Sequence, residues 1–397
     1  MPNVQEKNNV VEYNLVPYSK VKKGFTVFQK GDMIWAKITP CMQNGKSCIV
    51  DEMPTEVGFG STEFHVIRKR NNDIYMPFIW SIFSNDSVLK AAQAVFSGSA
   101  GQQRVPSSFI ENFPAVIPDY KTQIEIVSKL EEKITSLNKK LLEADDLFNK
   151  MSEFIHTTLC IGEVSNEKSM YYSCYEKQII GTRFDPEYHN PYYVHRVEEL
   201  KKAEWDTLGN IVEFSTESWN QKDGFENEFP YIEISGVKLK ENSYETTQVP
   251  VDKAPSRAKM IVRENDIIVS TTRPHRGAVA TICNLTNDYQ VASTGFCVLR
   301  DLKRTDVLKE YLQWILLDDY VLLQMLQRSS GGNYPAITAE ELKKVVIPIP
   351  HISTQKSICL EAVRRKQLAE HLRKEANAAW NNAKEQFEKE LTGEHNI

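Results

Sequence analysis

Long apolar runs are missing from this chain. No stretch of its 397 residues reaches 18 consecutive apolar residues, the length read as a membrane-spanning helix. The opening segment, MPNVQEKNNVVEYN, has no apolar core and does not read as a secretion signal. Cysteine is scarce: seven residues, an odd number, with no C-x-x-C. The nearest spacing, Cys41 to Cys48, has no suitable histidine beside it. That excludes a disulfide scaffold and predicts small buried thiols in a reducing cytoplasm. A surplus of positive charge is also absent. Lysine and arginine number 48 against 53 acids, a net charge of -5. A polycationic coat is excluded; a basic patch confined to one face is not.

Catalytic signatures are lacking too. The chain has no G-x-G-x-x-G, no G-x-x-x-x-G-K-[ST] and no G-x-S-x-G, so dinucleotide, P-loop and nucleophile-elbow chemistry find no support. Its histidines form no H-E-x-x-H, so no metal site is predicted. Asn190-Pro191-Tyr192-Tyr193 invites comparison with the N-P-P-[YF] motif of amino-methyltransferases, but it lacks the second proline. No catalytic residue is assigned.

What is present is apolar bulk and repetition. Hydrophobic residues make up 41%, which is ample for real cores and excludes a disordered or collagen-like chain. Length predicts two or three domains at roughly 150 residues each. Gly31–Pro40 matches Asn265–Pro274 at an offset of 234, and Ser61–Arg68 matches Ser293–Arg300 at 232. The 232 offset persists from Gly98–Gly101 onto Ser330–Asn333, from Val105 onto Ile337, from Val116–Pro118 onto Pro348–Pro350, and from Gln123 onto Gln355. Ordered matches of this kind signal duplication.

Each repeat predicts a polar turn at Asp32 or Asp266, a short strand and a proline-marked loop. A second, alternating strand follows. Then come an apolar helix (Phe78 to Phe96, and Tyr311 to Leu326), a glycine-rich loop and a short β segment. Anion binding at the glycine-rich loops and ordinary loop structure remain equally open. A long helix follows each β segment. Leu130, Ile134, Leu137, Leu141, Phe148, Met151 and Ile155 fall in heptad steps, with Ala144 completing the stripe. Gln123 to Ile155 would run about 50 Å. The matching stretch, Gln355 to Phe387, carries Leu368, Leu372, Ala379 and Phe387. Two such helices suggest an antiparallel pair; the alternative is that each packs on its own globular unit. The predicted fold is α+β: two similar mixed units separated by long antiparallel coiled-coil helices. The second unit begins near Trp205-Asp206-Thr207-Leu208-Gly209-Asn210-Ile211, and subtracting 232 puts its counterpart ahead of Met1, so the first unit is expected to be short at its start.

Basic and polar residues concentrate at one point in each repeat. Thr271, Thr272, Arg273, His275 and Arg276 offer hydroxyls, guanidinium forks and an imidazole suited to phosphates or base edges. The first-repeat counterpart offers Lys37, Thr39, Gln43, Asn44 and Lys46. Arg104 in the first repeat, and Asn333 and Tyr334 in the second, occupy a second loop. A plain solvated loop is the alternative reading.

This layout resembles the specificity (S) subunits of type I restriction-modification enzymes. The resemblance rests on Lys30–Pro40 (KGDMIWAKITP), Ser61–Phe64 (STEF), Gly98–Pro118 with Gln123, and the heptad run. In the second half it rests on Gly181–Tyr193 (GTRFDPEYHNPYY), Trp205–Ile211, Pro230–Val237 (PYIEISGV), Glu264–Pro274, Ser330–Pro350 and Gln355. It implies a target recognition domain over 1–118 and a spacer helix over 119–160. A connector would cover 161–203, a second recognition domain 204–350 and a second spacer helix 351–391. It further implies a non-catalytic subunit that reads a bipartite site in double-stranded DNA, with two modification (methyltransferase) subunits and restriction subunits as partners. S-adenosylmethionine, ATP and Mg2+ would belong to those partners, with no cofactor on this chain. A scaffold that binds proteins but not DNA is the competing class.

Overall fold

Asp32 and Asp266 start the same construction twice. The computed structural model describes residues 3–6, 9–98, 103–221, 224–285 and 287–392. Ser99–Gly101, three of the four residues of the first glycine-rich loop, lie outside the described residues. One compact unit comprises Met1–Leu141 with Lys374–Ile397; the other comprises Leu142–Arg373.

The first unit opens with β1 (Thr26–Gln29), β2 (Met33–Ala36), β3 (Ser47–Ile49), β4 (Val57–Gly60) and β5 (Phe64–Ile67). Helices α1 (Met76–Phe83), α2 (Asp86–Ala94) and α3 (Ser107–Glu111) follow, and then the long α4 (Tyr120–Asn149) begins. β2 lies between β3 and β5, antiparallel to both, and β1 pairs with β4. Side chains alternate along a strand. Met33 and Trp35 therefore enter one core with Phe78 and Ile82, whereas Ile34 and Ala36 enter another with Phe28 and Phe64. A strand buried on both faces reads as a continuous apolar run, as MIWA does.

The second unit continues with α5 (Met151–Leu159), α6 (Glu176–Ile179), α7 (Pro191–Leu200), β6 (Trp205–Thr207), α8 (Leu208–Ile211) and β7 (Val212–Ser215). Next come β8 (Glu228–Ile232), β9 (Val237–Lys238), β10 (Ser243–Tyr244), β11 (Thr247–Pro250), β12 (Ala258–Val262), β13 (Ile267–Ser270), β14 (Val279–Thr281), β15 (Gln290–Ser293) and β16 (Phe296–Leu302). It closes with α9 (Lys309–Ile315), α10 (Asp319–Gln327), α11 (Ala339–Lys343), β17 (Val346–Pro348) and the start of α12 (Ile352–Thr392). One sheet runs β14-β13-β16-β7, and a second runs β11-β8-β15-β12. β13 repeats the double burial of β2: Ile267 and Val269 face one core, Ile268 the other.

The two units share contacts as well as sequence. Asp32 is buried; it accepts from the Gln29 amide at 2.7 Å and binds Arg68 through two 2.7 Å bonds. Asp266 is equally buried, accepting from the Arg263 amide at 2.9 Å and from Arg300 at 2.9 Å. Gln123 accepts from the Tyr75 amide and donates to the Asp73 and Pro118 carbonyls, all at 2.8 Å. Gln355 does the same with the Leu308 amide and the Asp306 and Pro350 carbonyls.

Several expectations need correction. The apolar helix of each repeat is two helices. Asn85 caps α2 by accepting from the Ser87 amide, and Asp318 caps α10 by accepting from those of Tyr320 and Val321. Asn and Asp stop one helix and start the next because their side chains replace missing backbone partners. The helix expected from Gln123 to Ile155 is interrupted at Lys150, where ψ is 5°. On α12 the buried stripe is Ile358, Ala362, Ala369, Ala376, Ala383 and Phe387, while Leu368 and Ala379 are exposed. Alanine at seven-residue steps lets a neighbouring backbone approach, and the larger leucine falls outside that face. Only Cys48 and Cys297 are buried; Cys160 and Cys283 are exposed. No helix among the described residues is long and apolar enough to cross a membrane.

Candidate nucleic-acid interface

In each unit the loop after the central strand is stitched to the loop after the paired helices. In the second unit the Thr272–Ala336 and Ser330–Ala336 bridges join them, the Arg273 amide donates to the Pro335 carbonyl at 2.7 Å, and Ile337 donates to Thr271 at 2.8 Å. In the first unit the bridges are Ile38–Arg104 and Ser97–Arg104, Thr39 donates to Gln103 at 3.0 Å, and Val105 donates to Lys37 at 2.9 Å. Backbone pairing therefore fixes which side chains stand together, whatever their chemistry.

In the second unit it gathers the predicted residues. Arg273 adopts left-handed backbone (φ 49°), and its guanidinium lies 4.2 Å from the centroid of the Tyr334 ring. It also donates to the Asn333 carbonyl at 3.1 Å. An aromatic face attracts the cation and holds its planar fork. Tyr334, Asn333 and Arg276 are exposed. Thr271 donates from its hydroxyl to the Gly295 carbonyl at 2.9 Å, and Thr272 is half-buried beside it. Pro274–Arg276 form a single 3-10 turn that Gly277 closes at φ 76°. A Cβ there would also meet Lys240 Cγ at 2.9 Å, so the tight exit of the loop requires glycine.

His275 points elsewhere. It is half-buried and lines a cavity with His156, Arg196, Asp319 and Tyr320. Burial, with Arg276 and Arg273 nearby, lowers its pKa. Its ring is neutral at pH 7 and adds no charge to the exposed face.

The first unit places acids among its candidates. Glu63 binds Arg104 bidentately at 2.7 and 2.8 Å. Glu6 accepts from Asn44 at 2.9 Å and stands 4.0 Å from Lys46. Thr39 and Gln43 hydrogen-bond to each other. Lys37 is half-buried, its carbonyl committed to Val105.

Of the predicted helix residues, Phe148, Met151 and Ile155 enter the second unit's core. Leu130, Ile134 and Leu137 line a cavity of the first unit with Trp80, Trp380 and Phe387. Leu141 and Leu372 are half-buried. Asn190-Pro191-Tyr192-Tyr193 is a helix start: Asn190 accepts from the Tyr192 amide at 3.0 Å, and Pro191 occupies the first turn of α7, where its missing N–H costs nothing. Sequence reasoning missed the ion network of Glu217, Arg263 and Arg300, which joins Asp266 ahead of β13.

The family model of the type I restriction modification DNA specificity domain matches residues 3–144 and again 202–367. The type I restriction enzyme EcoEI specificity subunit of Escherichia coli is 35% identical over 153 residues, 38% of this chain and 26% of that protein. The MjaVIII specificity subunit of Methanocaldococcus jannaschii is 23% identical over 323 residues, 80% of this chain and 67% of that protein. The chain thus spans about a quarter of the Escherichia coli relative. A solved structure from work on complex assembly and conformational transition of the type I R-M system has a TM-score of 0.51 at 17% identity, covering 92% of this chain and 82% of that one. At that identity the likeness is one of fold. Matched over both repeats and well over half its length, the chain belongs to the type I restriction modification DNA specificity domain family.

Proposed function

We propose that this chain is the non-catalytic DNA-recognition subunit of a type I restriction-modification complex. Its two units, roughly 1–118 and 204–350, each read one half of a bipartite site in double-stranded DNA. The observation that carries this reading is the duplicated pair of stitched loops, one of which presents Arg273 on Tyr334 beside Asn333 and Arg276. An arginine fork held by an aromatic ring is suited to the O6 and N7 atoms of guanine, and neighbouring amides and hydroxyls to other base edges or phosphates. Acids among the first unit's candidates reduce its phosphate attraction, which makes it the weaker contributor to affinity. An acidic net charge fits a subunit that holds DNA together with more basic partners.

The long helices, 119–160 and 351–391, form an antiparallel spacer that docks two modification subunits, with restriction subunits beyond. Contacts inside each unit support opposite directions. Lys140 pairs with Glu375 in the first; in the second Asp145 pairs with Arg373, and the Leu147 carbonyl accepts from Arg365. S-adenosylmethionine, ATP and Mg2+ act on the partner subunits. The first unit is the reduced reader: its three-stranded sheet lacks, among the described residues, a counterpart of β7.

Reconstitution tests this. The chain alone should transfer no methyl group, and with a modification subunit it should bind duplex DNA in a salt-dependent way and direct methylation. Methyl transfer by the isolated chain, or a complex indifferent to DNA, would contradict the proposal.

A further inference from the structure

Arginine pairing singles out one edge of the second unit. Eight of the twelve arginines in Leu142–Arg373 pair with a carboxylate. Arg196 is buried and donates to the Val164 and Ser165 carbonyls. The other three, Arg257, Arg273 and Arg276, have no acidic partner among the described residues, in a chain whose acids outnumber its lysines and arginines.

These three stand on one laced row of loops. The Thr294 amide donates to the Arg257 carbonyl at 2.8 Å, and the Thr271 amide to the Gly295 carbonyl at 2.8 Å. The Thr272–Ala336 bridge continues the row to the loop that carries Asn333 and Tyr334. At about 4.8 Å between paired segments, Arg257 lies two steps, about 10 Å, from Thr271. That is about three base-pair rises along a duplex.

Arg257 and Arg273 differ in how they are held. The Arg273 guanidinium is fixed by the Tyr334 ring and the Asn333 carbonyl. Arg257 is exposed, and its side chain makes no hydrogen bond or ring contact among the described residues. A fork held in one plane can read a base edge; an unheld one offers charge without direction, which suits a phosphate. Lys253 and Lys259 flank it, both exposed, and residues 251–259 contain a single acid, Asp252.

The duplication repeats this charge with different residues. β1 pairs with β4, Thr26 opposite Gly60, as β12 pairs with β15, Ala258 opposite Ser293. Residues 18–26, which lead into β1, contain Lys20, Lys22 and Lys23, all exposed, and no acid. Charge kept where the side chains differ fits a contact that needs charge alone.

We infer that the segment leading into β12, with Arg257 at its centre, is a phosphate clamp that holds the DNA backbone beside the bases Arg273 reads. The lead-in to β1 repeats it in the first unit. This rests on DNA recognition by the chain as proposed above, and it divides the work along the row: Arg273 supplies sequence preference, and Arg257 supplies affinity without preference.

The test follows duplex binding by the complex with a modification subunit, using fluorescence anisotropy at a series of salt concentrations. One neutralised phosphate contributes about 0.9 to the slope of log affinity against log salt. Arg257→Ala should therefore lower the slope by about 0.9, so that its loss of affinity shrinks about threefold for a fourfold rise in salt. The loss should be equal on a duplex carrying the methylated motif and on one with altered half-sites. Arg257→Lys should restore the wild-type slope, because a point charge suffices for a phosphate. Arg273→Ala should instead reduce the preference for the motif. An unchanged slope for Arg257→Ala, the result if this charge serves solubility alone, overturns the inference. So does a loss confined to the motif, which would make Arg257 a base reader. A wild-type complex that binds no DNA overturns the proposed function and this inference together.

Discussion

Replacing Gln355 with alanine should be among the most damaging single changes in the second unit. Its side chain is fully buried and makes three hydrogen bonds: it accepts from the Leu308 amide at 2.8 Å and donates to the Asp306 and Pro350 carbonyls at 2.7 and 2.8 Å. These tie the start of α9 to the start of α12. A buried hydrogen bond contributes about 1 kcal/mol net, and a backbone group left without a partner costs about 1–3 kcal/mol. Three losses, eased by partial water entry, give about 3 kcal/mol. At a urea dependence of roughly 3 kcal/mol per molar, the unfolding midpoint falls by about 1 M. Urea titration of the second unit's signal, with hydrogen exchange at the Leu308 amide, reads this directly. Gln355→Glu keeps the acceptor but turns a carboxylate toward two carbonyls. It should be at least as harmful at pH 7 and recover as acid protonates it. A loss below about 1 kcal/mol for Gln355→Ala, or an unaltered Leu308 amide, would refute this account of the clasp.

Other substitutions probe other parts. Gln123→Ala should destabilise the first unit by a similar amount, read by exchange at the Tyr75 amide. Arg273→Ala should weaken DNA binding by the assembled complex about tenfold or more, the value of one good base contact, and leave the thermal unfolding curve in place. Ala369→Leu should cost about 1–3 kcal/mol by overpacking a fully buried seam position. Glu217 is held at about 2 rather than 4.5, chiefly by its hydrogen bond from Arg263 and against the effect of burial, with Arg300 adding to it. Its contribution is therefore complete above pH 4.5 and lost as pH falls toward 2. Glu217→Gln should flatten acid unfolding across that window, read by circular dichroism against pH.

Periodic and repeated features were legible in the sequence. The offset of 232 paired Gln123 with Gln355 and Val105 with Ile337, and these positions make equivalent hydrogen bonds in both units. Asp32 matches Asp266 at an offset of 234 and Arg68 matches Arg300 at 232, but their ion pairs cross a sheet and leave no local pattern in the sequence. Helix breaks were overlooked at Asn85 and Asp318, although both are good capping residues. On α12 Phe387 and Leu372 pack inward as expected, whereas Leu368 and Ala379 are exposed because the buried face follows the seven-residue alanine spacing. The parallel pairing of β8 with β15 joins strands some 60 residues apart, and no local pattern announces it. Within the candidate interface, the cluster of Arg273 with the exposed Asn333 and Tyr334 followed from loop position. The engagement of Arg104 by Glu63, and the turn of His275 into a cavity, depend on tertiary neighbours.

Mapping methylated bases in cells that express this chain with a modification subunit tests the central claim most directly. The account predicts a two-part motif with an unspecified spacer, and substitution of Arg273 and Asn333 should relax one half and leave the other unchanged. A single contiguous motif, or a motif in which both halves change together, would contradict it.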